Sequence, residues 1–296
     1  MTAKAAVTTR RPFLLFDGFP LNPAYPKQPL AVQVVQNAAG ADPLRNMAEI
    51  ELLLKGLPSC GLVALPEVFG LRGSDEELRR GAEPLAGGAA VRWAAGLARS
   101  RKSWVLAGSV LERSGNRVYN TSLLLDAGGR LRARYRKLHL FEARLETGQV
   151  VRERDVYRAG RDPVMAACMG WRCGLSICYD LRFPELYRRY SARGAHLLFA
   201  PSNFTQRTGR DHWEILVRCR AIENQCFVVA PNQCGTNGRT GVASHGNSMV
   251  VGPWGEILAR AGAEPAVLTA SLDPAELAAS RRRVPALAHR RLWRVD

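Results

Sequence analysis

GLSICYDLRFPE, residues 174–185, sets an apolar run, a cysteine and a helix start side by side. Gly174 to Cys178 reads as a buried strand. Pro184 then suits the first position of a helix, where its missing N–H costs nothing. The expectation is strand, sharp turn, helix, which is the building unit of α/β folds. A thiol at the end of such a strand is fixed by the sheet. It is also open on the side where α/β folds place their ligands.

Two other reactive side chains share that position. GLVALP (61–66) is a short apolar strand, and Glu67 follows it directly. RLRARYRK (130–137) is a strand that ends in Lys137. A glutamate, a lysine and a cysteine meeting at strand ends can perform amide chemistry. A thiol with a pKa of about 8.5 is mostly protonated at neutral pH, and the thiolate is the nucleophile. Glu67 can take its proton as general base. Lys137 would favour the thiolate and stabilise negative charge on a carbonyl oxygen under attack. The N–H of Tyr179, freed by the bend, would face the same oxygen. Each residue also has an ordinary reading. A cysteine in an apolar run is usually a small core residue. A glutamate after proline is often a turn residue, and a lysine closing a basic strand is often simply exposed.

Strands and helices alternate along the rest of the chain. LAVQVVQ (30–36) reads as the first strand, and Asp42 with Pro43 opens a helix that Gly56 can end. Residues 89–99 read as a second helix. WVLAGSVLE, RVYNTSLLLDA and RLRARYRK read as strands, the last two joined at Gly128-Gly129. PVMAACM and CGLSIC read as a pair turning at Gly170-Trp171. The helix from Pro184 can be capped by Gly194, and AHLLFAP follows as a strand. Asp211 with Glu214 resembles a capping box that starts a helix running to about Glu223. CFVVAP, the hairpin SMVVGPWGEILAR and AVLTASLD complete the pattern. It implies mixed sheets covered by helices.

Composition narrows the function classes. The 296 residues, 47% of them hydrophobic, can bury a large core. No uncharged apolar run is long enough for a transmembrane helix, so no membrane partner is expected. The net charge of +16 suggests nucleic acid at first. Only five of the 42 basic residues are lysine, and the arginines are scattered through every segment. That spread lacks the basic stripe of a phosphate-binding surface, and no nucleic-acid partner is expected. Seven cysteines without scaffold spacing favour a reducing compartment, the cytoplasm. No C-x-x-C pair points to zinc. TRRPFL (9–14) looks like a twin-arginine signal, but the apolar run after it is too short. Residues 1–28 read as a loosely ordered N-terminal extension, and 29–296 as one domain.

Several blocks in order resemble the nitrilase (carbon–nitrogen hydrolase) superfamily. They are LPEVFG around Glu67, YRKLHLFE around Lys137 and GLSICYDLRFPELYR around Cys178, followed by HWEILVRCRAIENQCFVVAPNQCG (212–235) and HGNSMVVGPWGEILA (245–259). The resemblance runs from about Leu30 to Trp293. It implies a four-layer α-β-β-α sandwich, a homodimer or larger assembly, and a site that needs no metal or organic cofactor. Carried over residue by residue, it makes Glu67 the general acid/base, Lys137 the oxyanion stabiliser and Cys178 the nucleophile. Glu153, sixteen residues after Lys137, fits the place of a second active-site glutamate, with Glu142 and Glu146 as competing positions. The mechanism implied is a cysteine thioester with release of ammonia.

Within the superfamily the blocks look most like the Nit branch, which contains deaminated-glutathione amidases and ω-amidases. Both substrate types carry carboxylates, which arginine forks match well. Arg182 and Arg207 are candidates, although Arg182 can equally pair with Asp180 or Glu185. Asn203 and Phe204 fall where the family lines its substrate pocket. The Gln-Cys-Gly feature at 233–235 favours deaminated glutathione, with ω-amidase as the alternative. Tyr179 after the cysteine, in place of tryptophan, argues against nitrile cleavage. N-carbamoyl amide hydrolysis and a non-catalytic binding role are further readings. The filled Glu, Lys and Cys positions argue against the last.

Overall fold

A computed structural model describes residues 24–144, 148 and 150–291. The first half runs β1 (Leu30–Gln36), α1 (Pro43–Leu54), β2 (Leu62–Ala64), α2 (Asp75–Arg80), α3 (Ala89–Arg101), β3 (Trp104–Ser114), β4 (Arg117–Leu125) and β5 (Leu131–Arg136). A small hairpin follows, β6 (Glu142–Arg144) with β7 (Val150–Arg152). The second half runs β8 (Val164–Cys168), β9 (Trp171–Leu175), α4 (Pro184–Ala192), β10 (Leu197–Phe199), α5 (Gln206–Asn224), β11 (Phe227–Ala230), β12 (Met249–Val251) and β13 (Ile257–Arg260). Then β14 (Ala266–Leu272) and α6 (Pro274–Arg283) close the described chain.

Two six-stranded sheets result, ordered β14-β1-β2-β3-β4-β5 and β8-β9-β10-β11-β12-β13. In each, three parallel strands form the centre and antiparallel strands flank them. The strand plan is therefore used twice, although the sequence shows no repeat. Alternation along β1 explains the layering. Leu30, Val32 and Val34 pack into the core shared with the second sheet, while Val35 packs with Ile50 and Leu54 of α1 and with Ala94 and Leu97 of α3. Trp213, Val217 and Ala221 of α5 join the shared core from the far side of the second sheet. The architecture is a four-layer α-β-β-α sandwich. No helix among the described residues is long and apolar enough to cross a membrane.

Local chemistry sets most boundaries as the sequence leads one to expect. Asp42 caps α1 by accepting from the N–H groups of Leu44 and Arg45. Gly129, at φ +75°, turns β4 into β5. Two expectations need correction. The β8–β9 turn is Met169-Gly170, both at positive φ, and Trp171 already belongs to β9. Asp211 does not begin a helix. Thr205 precedes α5, which starts at Gln206, so Asp211 lies inside it. The tie from the N–H of Gln206 to the Ala243 carbonyl lets the helix begin earlier than its side chains advertise.

One core residue makes stability depend on pH. His196 is fully buried before β10 and its Nδ1 accepts from the N–H of Arg172. Burial, with Arg281 and Arg172 nearby, holds its pKa down at about 3. An unfolded histidine titrates near 6.5. Below that value the unfolded chain takes up a proton that the fold refuses, so stability falls as the pH drops toward 3. The slope from this residue is at most about 1.4 kcal/mol per pH unit. Denaturant unfolding of wild type and His196→Gln between pH 7 and pH 4 tests this. The wild type loses stability more steeply, and parallel curves for the two proteins would refute the assignment.

Candidate active site

Glu67 leaves the sheet just after β2. The N–H of Leu65 still bonds the Leu106 carbonyl, and Glu67 then turns inward until only 3% of it is exposed. Val68 after it sits at φ +49°, a region that a β-branched residue rarely enters. Its N–H is held by Ser109 Oγ at 2.8 Å, and the Glu67 carbonyl accepts from Gln233 Nε2 at 3.0 Å. Gly108 is required here, because a Cβ on it would fall on the carbonyl oxygens of Leu65 and Pro66. The Glu67 loop is thus pressed onto β3 and braced from the second sheet.

Lys137 extends β5 by one more bond, from its N–H to the Asn120 carbonyl. Its side chain is 1% exposed, yet it carries an ammonium. Nζ donates to Glu67 Oε1 and to Glu153 Oε1, each at 2.8 Å. Asn120 Nδ2 donates to the same Glu67 oxygen at 2.8 Å. The other Glu153 oxygen accepts from the N–H of Phe141 at 2.7 Å, and the Glu153 N–H returns a bond to the Phe141 carbonyl. Burial works against the charged lysine, but Glu153 and Glu67 outweigh it and hold the ammonium well above its usual pKa. Burial raises the Glu153 carboxyl, against the pull of Lys137.

Cys178 does not end its strand. β9 stops at Leu175, and Ser176 and Ile177 lead into a tight 3-10 turn, Cys178–Arg182. Cys178 itself sits at φ +49°, with its N–H bonded to the Pro201 carbonyl at 2.9 Å. Asp180 holds this elbow. Its Oδ2 accepts from the hydroxyl of Tyr135 at 2.7 Å and the N–H of Ile177 at 2.8 Å. Its Oδ1 accepts from the N–H of His139 at 3.1 Å and meets His139 Nδ1 at 2.7 Å. One buried carboxylate thereby ties the cysteine turn to the end of β5 and the residues beyond Lys137. Burial first, and the Glu67 carboxylate second, push the Cys178 thiol well above its usual pKa. Lys137 pulls the other way and loses, so the resting sulfur is a thiol and not the thiolate expected from the lysine alone.

A cavity of about 420 Å³ opens here, in the usual size range of small-ligand sites. Glu67, Glu153, Cys178, Tyr179, Arg182, Asn203 and Phe204 all border it. Lys137 lies behind the two carboxylates. Arg207 is on the exposed side of α5 and does not border the cavity. Arg182 pairs with neither Asp180 nor Glu185, because Asp180 is saturated by Tyr135, Ile177 and His139. Instead its guanidinium lies 3.3 Å from His212 Nδ1 and about as far as a cation–π contact from Phe204. Glu142 is taken by Arg152 on the hairpin and by Arg154 just after it. Glu146 lies outside the described residues. Glu153 is the glutamate that reaches Lys137.

Sequence reasoning missed the supports. Asn120 and Ser109 sit on strands where polar side chains normally face solvent, and only the tertiary contact reveals their use. Asp180 is legible as a charge two residues after the cysteine, but its partners Tyr135 and His139 are more than forty residues away. Gln233 belongs to the Gln-Cys-Gly feature. It spans the two sheets, donating to the Glu67 carbonyl and accepting from the N–H of Ala39.

The model of the carbon-nitrogen hydrolase family matches residues 31–282. The chain belongs to that family. A deaminated glutathione amidase of Synechocystis sp. is 37% identical over 270 residues, covering 89% of this chain and 98% of its own. A chloroplastic omega-amidase of Arabidopsis thaliana is 35% identical over 275 residues, covering 91% and 74%. The crystal structure of the C. elegans NitFhit protein superposes with a TM-score of 0.83 at 34% identity; the match covers 89% of this chain and 65% of that one. This carbon–nitrogen hydrolase is an enzyme that acts on amides.

The elbow of this hydrolase depends on Asp180. Asp180→Ala strands the Tyr135 hydroxyl and two backbone N–H groups in the core. The expected loss is about 3 kcal/mol or more. Asp180→Asn keeps the shape and loses less. Denaturant unfolding measures both, and midpoints equal to wild type would remove Asp180 from this role.

Proposed function

We propose that the chain hydrolyses a carboxylate-bearing amide through a Cys178 thioester, with deaminated glutathione as the substrate. The observation that carries the chemistry is the buried Glu67–Lys137–Glu153 chain beside a cysteine held in a left-handed elbow at the cavity wall. Glu67 takes the thiol proton as sulfur attacks the amide carbon. Lysine has three N–H donors, and two are spent on Glu67 and Glu153. The third, with the N–H of Tyr179, faces the oxyanion of the tetrahedral intermediate. Glu67 returns the proton to the leaving nitrogen as the C–N bond breaks. A water, deprotonated by Glu67, then cleaves the thioester and regenerates thiol and acid. Glu153 positions Lys137.

The leaving group separates the two substrate readings. The ammonia expected from the sequence fits an ω-amide such as 2-oxoglutaramate. Cleavage of deaminated glutathione releases an amine, cysteinylglycine, and the same 2-oxo acid. Support for the larger substrate comes from the 37% identity to the deaminated glutathione amidase of Synechocystis sp.. It comes also from a cavity that continues beyond Cys178 to Asn237, Thr240 and Ser244. Purified protein is given each substrate, with cysteinylglycine and ammonia as the respective readouts. Turnover of deaminated glutathione is expected to dominate and to vanish in Cys178→Ala with the fold intact. Dominant ammonia release would make the enzyme an ω-amidase, and turnover surviving in Cys178→Ala would end the thioester mechanism.

The exposed apolar side chains Ile215 and Ile222 of α5, with Trp254 nearby in sequence to β12, support a homodimer. Sedimentation should give a two-chain mass, and a one-chain mass at assay concentration would reject it. Cysteines without a disulfide suit a reducing compartment such as the cytoplasm.

A further inference from the structure

Arg72 is the odd residue of the cavity. It lies on the loop of Glu67, five positions on, and is 4% exposed. Only one end of its guanidinium is used. Nη1 donates to Ser244 Oγ at 2.7 Å and to the Cys234 carbonyl at 3.1 Å, and lies 3.5 Å from Asn203 Oδ1. Nε and Nη2 are buried and have no partner. Among the described residues no carboxylate pairs with it. Burial accordingly holds its pKa down at about 10. Buried cations are normally paired, because an uncompensated one is strongly disfavoured. A purely structural strut to Ser244 and Cys234 would need no charge.

The position of Arg72 says what completes it. Arg72 lines the cavity together with Glu67, Asn203 and Cys178. The Asn203 backbone N–H lies against the Cys178 thiol, and the Asn203 side chain accepts from Ser244 while meeting Arg72. Arg72 is therefore one side chain away from the nucleophile. Arg182 belongs to the cysteine turn, on the other flank of the Asn203–Phe204 segment. Arg72 belongs to the loop of the residue that would hand a proton to the departing nitrogen.

We propose that Arg72 receives a carboxylate carried by the leaving amine. The site then takes amides of small acidic amines, such as a dipeptide, and not only primary amides. Two free N–H groups, Nε and Nη2, form the side-on edge of the fork that grips a carboxylate with two parallel bonds. This inference rests on the amidase reading and adds the residue that recognises the carboxylate of the leaving group.

The test compares deaminated glutathione with its C-terminal carboxamide, which is identical but for the one charge. Wild type should prefer the carboxylate by about 10- to 100-fold in kcat/KM, the range for a hydrogen-bonded charged group. Arg72→Gln should bring that preference close to unity, and Arg72→Lys should retain part of it. A wild-type enzyme indifferent to the change, or a preference that persists in Arg72→Gln, overturns the proposal. Calorimetric titration of cysteinylglycine and of cysteinylglycinamide into Cys178→Ala separates this from a failure of the substrate reading. Selective binding of cysteinylglycine that Arg72→Gln removes upholds the anion site even if deaminated glutathione is not turned over. Equal binding of the two, or none of either, rejects it.

Discussion

The ammonium of Lys137, fully enclosed between two carboxylates, is the interaction on which the rest of the structure depends. An ammonium taken out of water is held only if its partners are close, well aligned and themselves satisfied. The chain meets each condition with a different part of the fold. β5 delivers Lys137 through its bond to Asn120, and β2 delivers Glu67 past the close approach at Gly108. The segment beyond β7 delivers Glu153, which Phe141 fixes through both backbone groups. Asn120 contributes twice, by its carbonyl to Lys137 and by its amide to Glu67. The charge cluster is thus a junction of three separate segments, and it sets where each must end.

The strained backbone near the cavity follows from that junction. Val68 and Cys178 both adopt a left-handed conformation without being glycine. Such residues cost on the order of 1–3 kcal/mol each and persist only where their surroundings over-determine them. Here the surroundings are specific. Ser109 and Gln233 hold the Val68 turn, while Asp180 and the Pro201 carbonyl hold the Cys178 turn. Both turns aim a side chain across a strand end where regular geometry would carry it along the sheet.

Much of this was legible in the sequence, for a physical reason. The runs that lead into Glu67, Lys137 and Cys178 mark three strands and put each residue within three positions of a strand end, and local signals such as Asp42-Pro43 and Gly128-Gly129 mark turns. Such signals act over a few residues. What the sequence hides acts over distance. Proximity in sequence offers Asp180 or Glu185 to Arg182, yet Tyr135 and His139 claim Asp180 across more than forty residues. Asp211 with Glu214 imitates a helix start, and the tie from Gln206 to Ala243 overrides it. Arg72 was lost among arginines spread evenly along the chain. Its burial against the cavity beside Asn203 and Cys178 is a tertiary feature that residue type does not carry.

The electrostatics of the resting site also bear on how the thiol is used in the proposed mechanism. Two carboxylates and one ammonium leave the cluster short of positive charge, so a thiolate beside them would add a second uncompensated negative charge. Burial compounds this, since desolvation favours the neutral sulfur. Lys137 cannot relieve it while Glu67 and Glu153 neutralise its charge. The proton therefore stays on Cys178 until a substrate carbonyl is in place to accept the electron pair. Transfer to Glu67 at that moment moves charge from the carboxylate to the carbonyl oxygen, toward the free N–H of Lys137. The lysine is then better suited to the oxyanion than to the thiolate, because neutralising Glu67 releases part of its field just as the oxyanion forms. In the proposed mechanism a site built this way keeps its thiol quiet toward solvent oxidants and electrophiles, and spends the Lys137 ammonium on the intermediate.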